Sequence, residues 1–198
     1  MNWIKNAHNS TLVNSPTFTP KVGFTGNGST MYINNNFNPK SQESNFAYND
    51  ATVVWMQSTL STLTGRYVLG ANDTVAPAYR ACLLYYTTGN DRMYFQSASY
   101  NGNVNCQAGK QIGYTRIAGS LQGYVDGEAS GAATAGLLEG DIVDLEMLEL
   151  CVNANGAPAG YNNGDIMFSF YGKGLTTTQM LALYTRIKYY FDNVGGTF

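Results

Sequence analysis

Charged side chains are scarce in this sequence: 11 Lys and Arg and 13 Asp and Glu make up 12% of 198 residues, about half the share of an ordinary soluble domain. The basic residues form no run. Neutralising a phosphate backbone needs clustered cations, so nucleic acid is not an expected partner. Histidine is nearly absent. His8 stands alone in a polar leader, which excludes a nucleophile–His–acid triad. Cys82, Cys106 and Cys151 are odd in number and lack Cys-x-x-Cys spacing; three unpaired, structural thiols are expected. No stretch approaches the roughly 18 apolar residues of a membrane span, and residues 1–6 carry no apolar core of a signal peptide. Neither membrane insertion nor signal-directed secretion is expected. No phosphate loop occurs either, since Gly172-Lys173-Gly174 lacks the rest of that motif and reads as a turn.

Glycine (22) and tyrosine (15) are abundant, and polarity comes mostly from Asn, Thr, Ser, Gln and Gly. Such a surface suits an extracellular particle or a sugar-contacting module. Short apolar or alternating runs recur between Gly/Asn/Ser clusters, the pattern of a many-stranded sandwich or barrel. Strands are expected at residues 31–34, 52–57, 67–71, 80–87, 92–98, 111–116, 121–125, 144–152 and 165–171. The run 80–87 is apolar on both faces and reads as a central strand, followed by a hairpin loop at 87–91. Asp126-Gly127 and Asn163-Gly164 are turn dipeptides. One helix is expected, at the C-terminal end. Thr176 and Gln179 have capping-box spacing, and Leu175 with Met180 can form the hydrophobic staple. Met180, Leu183, Tyr184, Ile187, Phe191 and Val194 then repeat at helical spacing. This stripe is expected to pack on an edge or an end of a sheet. No repeat or linker divides the chain, so residues 1–198 are expected to form one domain. The fold class is all-β: a two-sheet antiparallel β-sandwich closed by a short C-terminal α-helix.

Three stretches carry a resemblance. Gly23-Phe24-Thr25-Gly26-Asn27-Gly28-Ser29-Thr30 leads into Met31-Tyr32-Ile33-Asn34. Tyr124-Val125-Asp126-Gly127 is an apolar strand ending in a turn. Phe168-Ser169-Phe170-Tyr171-Gly172-Lys173-Gly174-Leu175-Thr176 precedes the helix with Tyr184 and Phe191. In this order they resemble the opening, hairpin and ending of concanavalin A-like, laminin G-like jelly-roll domains of bacteriophage tail, fibre and other virion surface proteins. Trp3 and residues 11–18 also fit the start of such domains. The resemblance implies a non-catalytic virion surface protein (fibre, spike or capsid decoration) made in the host cytoplasm. It also implies other virion proteins, further copies of the chain and host or environmental glycans as partners. A purely structural assembly subunit is the alternative within the same setting.

The fold also hosts glycosidases, whose strand acids follow Glu-x-Asp-x-x-Glu. Asp144, Glu146 and Glu149 match that spacing with the first two acids exchanged. On a regular strand Asp144 and Glu146 share a face, and one bulge would bring Glu149 to it. Two carboxyls roughly 5–5.5 Å apart would then suit a retaining mechanism. Solvated acids on a strand face are the simpler expectation. Sugar binding without catalysis needs an aromatic platform with hydrogen-bonding neighbours. Tyr86, Tyr94, Tyr100, Asn101, Asn103 and Tyr114 are the candidates, set near strand ends and Asn/Gly loops. Asn72, Asp73, Asp126 and Asp165 fit no Ca²⁺ loop and read as turn-formers, so no metal or other cofactor is expected.

Overall fold

The computed structural model describes residues 8–42, 45–73, 79–81, 83–86, 92–95, 104–135 and 142–194. In chain order the strands are β1 (Thr11–Val13), β2 (Thr17–Thr19), β3 (Gly23–Thr25), β4 (Tyr32–Asn34), β5 (Asp50–Gln57) and β6 (Arg66–Tyr67). Then come β7 (Leu69–Asp73), β8 (Tyr79–Ala81), β9 (Leu83–Tyr86), β10 (Arg92–Tyr94), β11 (Lys110–Ile117) and β12 (Ser120–Val125). The last are β13 (Glu128–Ala135), β14 (Leu148–Glu149), β15 (Val152–Ala154), β16 (Ala157–Ala159), β17 (Asp165–Ile166) and β18 (Phe168–Gly172), before helix α1 (Thr177–Val194).

Two sheets make the sandwich. One has five antiparallel strands in the order β13-β12-β11-β5-β18. The other runs β1-β4-β14-β7-β15-β16, with β8 added to β7. The chain is thus a jelly-roll-like β-sandwich with a C-terminal helix. Side chains alternate across each strand, and β5 shows what that does here. Ala51, Val53 and Trp55 point between the sheets, where they meet Ile112, Tyr114, Ile33, Leu69 and Leu150 in one buried cluster. The Trp55 and Tyr114 rings stack there at 6.2 Å and 13°, an arrangement worth about 0.5–1.5 kcal/mol beyond area burial.

Val54 and Met56 point the other way and are also fully buried, because α1 covers them. The helix therefore lies across a sheet face rather than an edge or end. Met180 sits over Gly113, where a Cβ would come within 2.6 Å of the methionine Cε. Its entry is pinned: Leu175 N–H donates to the hydroxyls of Thr52 and Thr115, both at 2.9 Å. The capping box forms as expected, with Thr176 N–H on Gln179 Oε1 at 2.9 Å and Gln179 N–H on Thr176 Oγ1 at 3.4 Å. Met180, Ile187 and Phe191 are the buried part of the stripe, whereas Val194 is exposed.

Several strand expectations change. β5 and β11 are central strands buried along most of their length, whereas the run 80–87, expected as one central strand, is divided. That run forms β8 and β9 in two different sheets, and β9 pairs antiparallel with β10. Residues 165–171 split at Met167 into β17, which pairs with β3, and β18, which pairs with β5. Residues 144–152 are not one strand. Only Leu148–Glu149 and Val152–Ala154 pair, separated by Leu150 at φ 63°. Asp126-Gly127 turns a two-residue hairpin with φ of 52° and 80°, but Asn163-Gly164 has no such backbone. Asn155-Gly156, at 53° and 89°, supplies the turn between β15 and β16. Cys106 and Cys151 are buried and in no disulfide; Cys82 lies outside the described residues.

Candidate functional site

The three acids singled out by spacing lie on one seam. Segment 34–38, which contains four asparagines, runs beside segment 144–149. Asn35 N–H donates to the Met147 carbonyl at 3.2 Å, and Met147 N–H to that of Phe37 at 2.9 Å. Each acid then receives one carboxamide. Asn38 Nδ2 donates to Asp144 Oδ1 at 2.8 Å, Asn34 Nδ2 to Glu146 Oε2 at 2.7 Å, and Asn35 Nδ2 to Glu149 Oε1 at 3.0 Å. The same asparagines shape their own turns, since Asn34 Oδ1 accepts from Asn36 N–H and Asn38 Oδ1 from Lys40 N–H. One residue type supplies donor and acceptor together. His8 joins the seam through Nδ1, which donates to the Asn36 carbonyl at 2.6 Å.

The seam separates the acids. Asp144 and Glu146 are exposed, outside any strand, while Glu149 on β14 is buried. Glu149 pairs across with Ile33 and Leu69, both core residues, so its carboxyl enters the space between the sheets. There Tyr171 also donates to Oε1, at 3.2 Å. The strand-borne acid pair expected of a glycosidase does not form: the chain kinks instead of bulging, and the carboxyls anchor a neighbouring segment.

Burial pushes the Glu149 carboxyl above the usual carboxylate range, and hydrogen bonds from Ser169, Asn35 and Tyr171 oppose that only in part. A folded pKa above the unfolded one has a definite sign. Glu149's own contribution is complete well below the usual carboxylate range, where its carboxyl is neutral in both states, and declines as pH rises through the raised value. Glu149→Gln keeps the shape and removes the charge. Urea unfolding from pH 4 to pH 8 should show the variant gaining on the parent as pH rises. A parent that gains on the variant over that interval would reverse this assignment.

The expected sugar-binding residues are not assembled by what the structure describes. Tyr114 is fully buried, and its hydroxyl donates to the Val104 carbonyl at 2.9 Å. Its ring is a core ring and offers a sugar no surface. Tyr86 and Tyr94 end β9 and β10, with side chains outside the described residues, as are Tyr100, Asn101 and Asn103 entirely. Asp126 receives Gln111 N–H and Lys110 Nζ, and Asp165 receives the Ser58 N–H and hydroxyl. Asn72 and Asp73 close β7.

An aromatic pair lies elsewhere. On β4, Ile33 faces the core, so Tyr32 and Asn34 face outward. The Tyr32 ring stands 6.3 Å from that of Tyr161, tilted by 52°, and both are half-buried. Asn34, hydrogen-bonded to exposed Glu146, is two residues along on the same face. Tyr32 could be found from strand alternation, but nothing local in the sequence marks Tyr161 as its neighbour.

No family model matches the sequence, and no curated protein matches it. Among solved structures, a mutant Trypanosoma rangeli sialidase displaying trans-sialidase activity is similar over 96% of this chain, with 17% identity and a TM-score of 0.58. The chain spans 30% of that sialidase's length. Domain 4 of AbnA, an extracellular GH43 arabinanase from Geobacillus stearothermophilus solved with arabinotriose, is similar over 88% of this chain and 81% of its own, with 15% identity and a TM-score of 0.50. At these identities what is shared is the lectin-like β-sandwich fold.

Proposed function

We propose that this chain is a non-catalytic glycan-binding sandwich. The carrying observation is the outward Tyr32–Tyr161 pair with the Asn34–Glu146 hydrogen bond on the same face. A sugar ring has an apolar C–H face and a rim of hydroxyls. The tyrosines suit the first, and a carboxamide next to a carboxylate suits the second. Half-burial holds both rings before a ligand arrives, which lowers the entropy lost on binding. The arabinotriose in the AbnA domain supports the ligand class. The separation of Asp144, Glu146 and Glu149 along the seam supports binding without turnover. The setting we propose is the surface of a bacteriophage particle, among other virion proteins and further copies of the chain; the resemblance of residues 23–34, 124–127 and 168–176 supports it.

A glycan array followed by calorimetry with arabino- and sialyl-oligosaccharides tests the reading. Tyr32→Ala and Tyr161→Ala should each weaken binding by about tenfold or more, the ~1.4 kcal/mol of a central aromatic contact. Parent-like affinity in both variants would move the site off this face. Absence of any glycan ligand, with the chain found in purified particles, would leave the assembly-subunit reading. Release of reducing ends, abolished in Glu149→Gln, would make it an enzyme.

A further inference from the structure

Arg116, on β11, shares the inward face with Ile112 and Tyr114 and is 1% exposed. Its cross-strand neighbours are Ala51 and Leu121. A guanidinium carries five N–H donors and stays charged in proteins. Here Nη2 donates to the Phe95 carbonyl at 2.8 Å, while Nε and Nη1, both enclosed, have no partner. The guanidinium carbon lies 6.0 Å over the Phe95 ring, which meets Phe46 edge-on at 6.2 Å. Both rings are fully buried. A ring face offsets part of a cation's desolvation but gives the two in-plane donors nothing to bond. Among the described residues no carboxylate is paired with Arg116, and interior charges are ordinarily paired.

We propose that Nε and Nη1 of Arg116 hold a small monoanion between the sheets, either chloride or the carboxylate of a ligand entering at this end of the sandwich. A small ion suits the surroundings, because the Phe95 ring lies against the guanidinium, Phe46 packs on Phe95, and Ala51 and Leu121 flank Arg116 on the neighbouring strands. Arg116 stands one residue from the end of β11, at Ile117. This site is independent of the Tyr32–Tyr161 face.

Two experiments read it. Crystals grown in sodium bromide should give an anomalous scattering peak beside Nε and Nη1. Thermal unfolding in chloride, bromide, acetate or glucuronate, with fluoride as the reference at equal ionic strength, should show a melting temperature that climbs with anion concentration by mass action. Arg116→Met should lose that anion-specific climb, and Arg116→Lys, which keeps charge but lacks both donors, should lose most of it. A climb in the halide arms alone identifies a bound ion, and one in the carboxylate arms alone identifies a ligand carboxylate. If Arg116→Met does not fold, the lysine variant and the bromide peak still decide. No peak together with parallel anion responses in parent and variants overturns the proposal.

Discussion

Phe191→Ala is expected to cost about 3–5 kcal/mol of folding free energy, the range for truncating a phenylalanine at a closed site. Phe191 is 8% exposed and packs with Met56 and Ile187. The size follows from what the helix does. β5 runs buried from Ala51 to Gln57, and α1 packs on its Val54 and Met56. Loosening the helix wets Val54 and Met56 on a sheet whose other face is already core. Thr185→Ala, on the solvent side of the same helix, should shift stability by less than about 0.5 kcal/mol. Urea midpoints of the two variants and the parent measure the contrast. A Phe191→Ala midpoint equal to the parent's would mean that α1 contributes nothing to the sandwich.

Gly23→Ala is the second large effect, expected to destabilise by about 2–5 kcal/mol. One contribution is backbone strain: Gly23 has φ +94°, outside the range L-residues adopt easily, at roughly 1–2 kcal/mol. The other is overpacking, at roughly 1–3 kcal/mol. A Cβ there would lie 2.2 Å from the Ile166 carbonyl oxygen and 2.8 Å from the Met167 Cα. Those are backbone atoms of the β17–β18 connection and cannot rotate away. Gly156→Ala is the control, because φ is +89° there but nothing lies within 4 Å; it should show the strain alone. Calorimetric melting of both variants separates the two contributions, and equal losses would remove the close-approach argument.

Where the sequence could be read, the reason is local. β5 and β11 were expected to within two residues because long alternating strands repeat one signal several times over. The helix was readable for the same reason, with a cap at one end. β13 was missed: Glu128-Ala129-Ser130-Gly131-Ala132-Ala133-Thr134-Ala135 has little intrinsic strand preference, and pairing with β12 makes it a strand. The run 144–152 misled because apolar and acidic residues alternate there as in a strand. Leu150's positive φ and the asparagines of segment 34–38 impose a different path. Those partners lie more than 100 residues away, and no window on the chain contains both. The same distance hid Tyr161 from Tyr32, while Tyr114 gave no local sign that its hydroxyl would be used inside.

The seam of asparagines on acids also sets a chemical clock. Asparagine side chains hydrolyse slowly, and they are among the residues that thermophilic proteins avoid. At most positions the resulting acid is tolerated. At Asn34 or Asn35 it replaces a donor with a second carboxylate facing Glu146 or Glu149. An attractive contact becomes a like-charge one, and at Asn35 it does so in the interior. Ageing at this seam is therefore expected to weaken the hold of segment 34–38 on segment 144–149. Covalent change at this stretch acts on the fold separately from its equilibrium stability.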